Sequence, residues 1–140
     1  MPSAGRVLQR RSDGSIEWLR LDILLALKGQ EQTSIWVETQ PAAQPAVGNP
    51  VTVRETPEAV VLANGLTEVV IGRNGGSLIQ RLTVRGRTVV DERHTVDLVT
   101  VDGGGKIHRA SLAGPWRVSV PHANALTATV QIEGIHRARD

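Results

Sequence analysis

The sequence predicts an all-β chain, either a small barrel or a sandwich of short antiparallel strands. Three observations carry that expectation. The apolar residues are mostly Val, Leu, Ile and Ala, with three Trp, no Phe and no Tyr, and β-branched side chains pack well on a pleated surface. The apolar stretches are short, and several alternate with polar residues at a period of two. The 21 Gly and Pro residues, 14 and 7 respectively, fall mostly between those stretches, where turns are needed.

The first extended segment, Arg6 to Arg11, is followed by Ser12-Asp13-Gly14-Ser15. Asp-Gly between extended segments is a turn signal, because Asp bonds its own backbone and Gly accepts positive φ. Ile16 to Leu27 then reads as a long strand. Leu19, Leu21, Ile23, Leu25 and Leu27 share one face, and Trp18, Arg20 and Asp22 the other. A helix competes for this segment, since Leu19, Ile23, Ala26 and Leu27 also fit a helical stripe. A turn around Lys28 to Gln32 and a strand from Thr33 to Thr39 favour the hairpin, with Trp36 near Leu24.

Gln40 to Pro50 is a Pro- and Ala-rich loop and the best internal boundary. It divides the chain into residues 1–50, part of an N-terminal β-barrel module, and residues 51–140, which hold remaining barrel strands, the start of a β-sandwich domain, or both. Beyond Pro50 the expected strands are Val51 to Glu55, Ala59 to Leu62, Leu66 to Ile71, Leu78 to Val84 and Thr88 to Val90. Thr95 to Val101, Lys106 to Leu112, Trp116 to Val120 and Leu126 to Glu133 complete the series. About ten short strands with Gly or Pro turns exclude a nucleotide-binding α/β fold.

Composition narrows the function classes. The formal net charge is only +2, and residues 1–50 balance at zero, so no basic tail or stripe points to nucleic acid. Three isolated Trp do not make a base-stacking surface. The absence of Cys removes disulfides, thiolate nucleophiles and Cys-ligated metals. No apolar stretch reaches the roughly 20 residues a membrane-spanning helix needs, and Met1 onward shows no signal-peptide pattern. The expected partners therefore include neither nucleic acid nor membrane, and localisation stays open.

Motif by motif, catalysis finds little support. Asp102-Gly-Gly-Gly-Lys106 lacks the spacing and the helix of a phosphate loop and reads as a hairpin loop. His94, His108, His122 and His136 recur every 14 residues, yet none forms an HxH or HExxH pair, so no metal site is expected. Ser111, His108 and Asp97 make a triad only on paper, without a strained nucleophile turn. Asp91-Glu92-Arg93 reads as a salt-bridged turn, not as an acid catalyst. No catalytic residue, cofactor or metal ligand is assigned. The candidate carbohydrate contacts are Trp18 with Arg20 and Asp22, and Trp36, since an apolar ring beside fixed polar groups suits a sugar face. Burial is the favoured alternative for both rings, and Trp116, after Gly114-Pro115, reads as an anchor.

The stretch Arg11-Ser-Asp-Gly-Ser-Ile-Glu-Trp-Leu-Arg-Leu-Asp22 resembles a signature near the start of exo-rhamnogalacturonan lyases and the related YetA-like bacterial proteins. Asp13, Gly14, Ser15, Trp18, Leu19, Leu21 and Asp22 fall in its pattern. Val51 to Arg54, Ala63 to Leu66, Gly75-Gly76, Ile79 to Val84 and Val130 to Gly134 follow in the same order. The resemblance implies an N-terminal barrel of the RIFT kind followed by opening strands of a β-supersandwich, in a parent that degrades pectin-type polysaccharide. Two departures stand out: Arg11 or Ser12 replaces a Trp before the turn, and only Met1 to Gly5 stands where opening strands are usual. The resemblance implies a noncatalytic structural module cut from a longer protein, with the catalytic domain downstream as partner and pectic polysaccharide as a further one. A carbohydrate-binding module and an unrelated structural or protein-interaction β-domain are the alternatives.

Overall fold

The computed structural model describes residues 1–38 and 45–138. The chain is all-β, with several small antiparallel sheets and no closed barrel among the described residues. It divides into two compact units, Met1–Gly48 and Asn49–Asp140.

In the N-terminal unit, β1 (Ser3–Arg10) pairs antiparallel with β2 (Ile16–Ile23). The Asp-Gly signal closes this hairpin as expected. Gly14 takes φ +85°, the Asp13 carboxylate accepts the Ser15 N–H at 2.9 Å and its hydroxyl at 2.7 Å, and those bonds hold the Asp13 carboxyl below its usual range. Val7 lies opposite Leu19 and Gly5 opposite Leu21, so these residues share one face. That face is apolar, and Val7, Leu19 and Leu21 are exposed on it. Arg6, Arg20 and Asp22 share the other.

Two expectations for this unit are corrected. The second strand stops at Ile23 rather than Leu27, with one further bond from the Leu24 N–H to the Pro2 carbonyl at 3.0 Å. The following turn does form, with Gln30 at φ +64° and the Glu31 N–H on the Lys28 carbonyl at 3.1 Å. Yet Thr33 to Glu38 forms no strand; Thr39 lies outside the described residues, as does Gln40 to Gln44 of the expected loop. Leu24-Leu25-Ala26-Leu27 offers no alternation, so a ladder there would fix backbone without burying one defined face.

The C-terminal unit is built on a five-stranded meander of β3 (Thr52–Glu55), β4 (Ala59–Ala63), β5 (Thr67–Gly72), β6 (Ile79–Val84) and β7 (Arg87–Val90), hydrogen-bonded in that order. β8 (Val99–Val101), β9 (Ile107–Arg109) and β12 (Arg137–Ala138) form a second sheet, and β10 (Arg117–Ala123) with β11 (Ala128–Glu133) a hairpin. Alternation places Val60, Ile71 and the partly buried Val53, Leu62 and Val69 on the inner face of the meander. They pack in one cluster with Val118, Val120, Val130 and Ile132 of the β10–β11 hairpin, closed by Leu78, Ala110 and Trp116. Two sheets sharing one apolar layer is sandwich packing. Val60 is fully buried, and Trp116 is 5% exposed, the anchor its position after Gly114-Pro115 predicts.

The expected Lys106 to Leu112 strand is shorter than predicted: β9 ends at Arg109 and Ala110–Leu112 turn into a 3-10 helix. The reason is Asp97, whose carboxylate accepts the Ser111 N–H at 2.8 Å and hydroxyl at 2.6 Å. That grip satisfies the turn from the side and draws the chain out of the ladder. Arg73 ties the two layers together. Its Nε donates to the Thr56 carbonyl at 3.1 Å, Nη1 to the Val118 carbonyl on β10, and Nη2 to Glu55 at 2.6 Å.

Candidate functional site

Trp18, Arg20 and Asp22 follow one another on the same face of β2, as their even spacing dictates. Arg20 Nε and Asp22 Oδ1 form an ion pair at 2.9 Å. Trp18 is 62% exposed, which corrects the expectation of burial: a two-stranded hairpin has no second layer of its own to cover a ring. Trp36 is 85% exposed and stands on the unpaired segment after the Lys28–Glu31 turn, so it shares no sheet with the other three.

The paper triad does not assemble. The Ser111 hydroxyl donates directly to Asp97, while His108 Nε2 sits 3.0 Å from Asp102, at the far end of the same hairpin. Burial pushes the Asp97 carboxyl up, but bonds from Ser111 and Arg109 outweigh it and hold it below its ordinary value. Asp102 organises the Gly-rich turn by accepting the Gly104 and Lys106 N–H groups, each at 2.9 Å. With His108 as the largest influence, these bonds lower its pKa. The other histidines also have local partners: His94 with Asp91 at 2.8 Å, His122 with Asn124 at 2.9 Å, and His136 with Thr100 at 3.0 Å. The Asp91 turn is salt-bridged as expected, with Arg93 Nη2 at 2.6 Å, and the Arg93 bonds hold Asp91 far below the usual carboxylate range. Among the described residues no group of three His, Cys, Asp or Glu could hold a metal ion, and no helix is long and apolar enough to cross a membrane.

A cleft on the outer face of the five-stranded sheet escaped the sequence. It encloses about 760 Å³, within the range of small-ligand sites. Arg54 pairs with Val61, Val61 with Val70, and Val70 with Arg81, so these four side chains form one transverse row across β3, β4, β5 and β6. Val61, Val70 and Ala59 make an apolar floor between two guanidinium groups, and the turn carrying Asp91, Glu92 and His94 forms a wall. Gln80 lies over Gly72, where a Cβ would fall 2.2 Å from its Nε2. The residues of this row stand up to 27 positions apart in sequence; only the strand register brings them together.

Compared with known proteins, the chain matches no family model, no curated protein and no solved structure.

Proposed function

We propose that this chain is a noncatalytic structural β-module of a polysaccharide-active protein of the rhamnogalacturonan lyase type, with a downstream catalytic domain of the same polypeptide as its principal partner and pectic polysaccharide as substrate of the parent. The observation that carries the reading is the state of the DGSxxWLxLD segment. It folds into a hairpin with one apolar face, and Val7, Leu19 and Leu21 on that face are exposed. A two-stranded ribbon is marginal alone, and an amphipathic sheet is stable when a second layer covers its apolar side. The downstream domain supplies that layer. The acid and base groups that invite a catalytic reading are engaged locally instead: Asp97 holds the 3-10 turn, Asp91 its own loop, and Asp102 the glycine turn. Incubating the 140-residue chain with rhamnogalacturonan oligosaccharides and following unsaturated products by ultraviolet absorbance tests the noncatalytic assignment. No product is expected; turnover overturns it.

Exposed Trp18 beside the fixed Arg20–Asp22 pair favours a second reading, direct carbohydrate contact by β2. Calorimetric titration with pectic oligosaccharides gives heat and a shift of tryptophan emission on this reading; neither change removes it.

A further inference from the structure

The cleft on the outer face of the C-terminal sheet is lined by residues of the C-terminal unit alone. Its charges largely cancel within the protein. Arg81 is paired with Glu68 at 2.6 Å, and Asp91 with Arg93 at 2.6 Å and His94 at 2.8 Å. Among the described residues, the Arg54 guanidinium, the Gln80 amide and the Glu92 carboxylate have no hydrogen-bond or ion-pair partner. One cation, one amide and one anion therefore face the same space, above a floor of Ala59, Val61 and Val70.

We infer that this cleft binds a neutral, hydroxyl-rich ligand of sugar size, and that charge balance excludes acidic saccharides from it. A uronate or phosphate entering it meets Arg54 but must also approach the uncompensated Glu92. An organic cation meets Glu92 but must approach Arg54. A hydroxyl both donates and accepts, so one ligand class serves the guanidinium, the amide and the carboxylate together. The aliphatic floor complements C–H patches between those hydroxyls, and an apolar floor with a few converging polar groups is the usual make-up of a small-ligand site. Arg54 and Arg81 stand three strand spacings apart, about 14 Å between their Cα positions, which leaves room for sugar rings to lie across the two valines. Gly72 is the enabling residue, because the Gln80 side chain occupies the space its Cβ would take.

The test is a set of amide-resolved NMR titrations of the 140-residue chain with galactotetraose, trigalacturonate and a blocked trialanine. The expected result is saturable shifts at Val61, Val70, Gly72 and Gln80 with galactotetraose, and at least tenfold weaker binding of the other two. Arg54→Ala and Gln80→Ala, with the fold checked by buried Trp116, each weaken galactotetraose at least fivefold, and Glu92→Gln improves trigalacturonate relative to it. Equal or tighter binding of trigalacturonate or trialanine overturns the inference, as does a cleft silent to all three. Shifts confined to β2 around Trp18 also overturn it, while leaving the proposed module function standing.

Discussion

Asn64 and Asn124, sixty residues apart, build the same turn in two different sheets. Each opens the pattern Asn-x-Leu-Thr, donates its N–H to the threonine carbonyl at 3.1 and 2.8 Å respectively, and accepts the leucine and threonine N–H groups on Oδ1. The side-chain oxygen thus supplies the acceptor that the backbone N–H groups of a tight turn otherwise lack. Asn64→Ala and Asn124→Ala are each expected to lower unfolding free energy by about 1 kcal/mol or somewhat more. Gly65→Ala adds backbone strain at φ +76° and a 3.0 Å approach to Asn49. Urea titration followed by Trp116 fluorescence reads all three.

Arg73 joins β3, the turn before β4, and β10 through one side chain. Arg73→Met keeps much of the stem packing and removes every donor. It is expected to cost about 1.5–3 kcal/mol, the scale of charge-assisted bonds. Arg73→Lys recovers only part, since an ammonium cannot reproduce the fork. Denaturant midpoints of both variants check the order.

Asp97 gives the C-terminal unit an acid limb. Its folded pKa lies below the unfolded value, so its contribution is fully present above about pH 4, the unfolded pKa, and disappears as pH falls through the folded one. Ser111→Ala removes the 2.6 Å bond and brings the folded pKa back toward the unfolded value. The difference in stability between wild type and Ser111→Ala is therefore expected to be largest near neutrality and to shrink below pH 4. A difference constant with pH contradicts the assignment.

The three tryptophans report separately. Trp18 and Trp36 are exposed and Trp116 is buried, so iodide is expected to quench a large, red-shifted fraction and spare a blue-shifted one. Trp116→Phe removes the protected fraction; Trp18→Phe leaves it intact.

Much of the fold was legible because local chemistry set it. Asp13-Gly14, Asn64-Gly65 and Gly86 mark turns by their own conformational needs, and Val130 and Ile132 alternate with Gln131 and Glu133 along β11. Of the expected Thr33 to Thr39 strand, the described residues Thr33 to Glu38 form none, because an apolar triplet, Ile35-Trp36-Val37, has strand propensity without a neighbouring strand to pair with. β12 escaped because two residues beside β9 carry no period. The burial expected of Trp18 and Trp36 failed because composition cannot say which layer covers a ring. Arg54, Val61, Val70 and Arg81 were invisible as a group, because their row is a property of register across four strands.

We propose that the apolar face of the β1–β2 hairpin, with Val7, Leu19 and Leu21 exposed, docks on a domain encoded downstream in the same reading frame. Hydrogen exchange of the Val7 and Leu19 to Ile23 amides, measured in this chain and in the polypeptide from its complete reading frame, tests it most directly. Fast exchange is expected in the chain alone, with protection rising at least a hundredfold in the longer polypeptide. Equal exchange in both, or a reading frame that encodes no further domain, contradicts it.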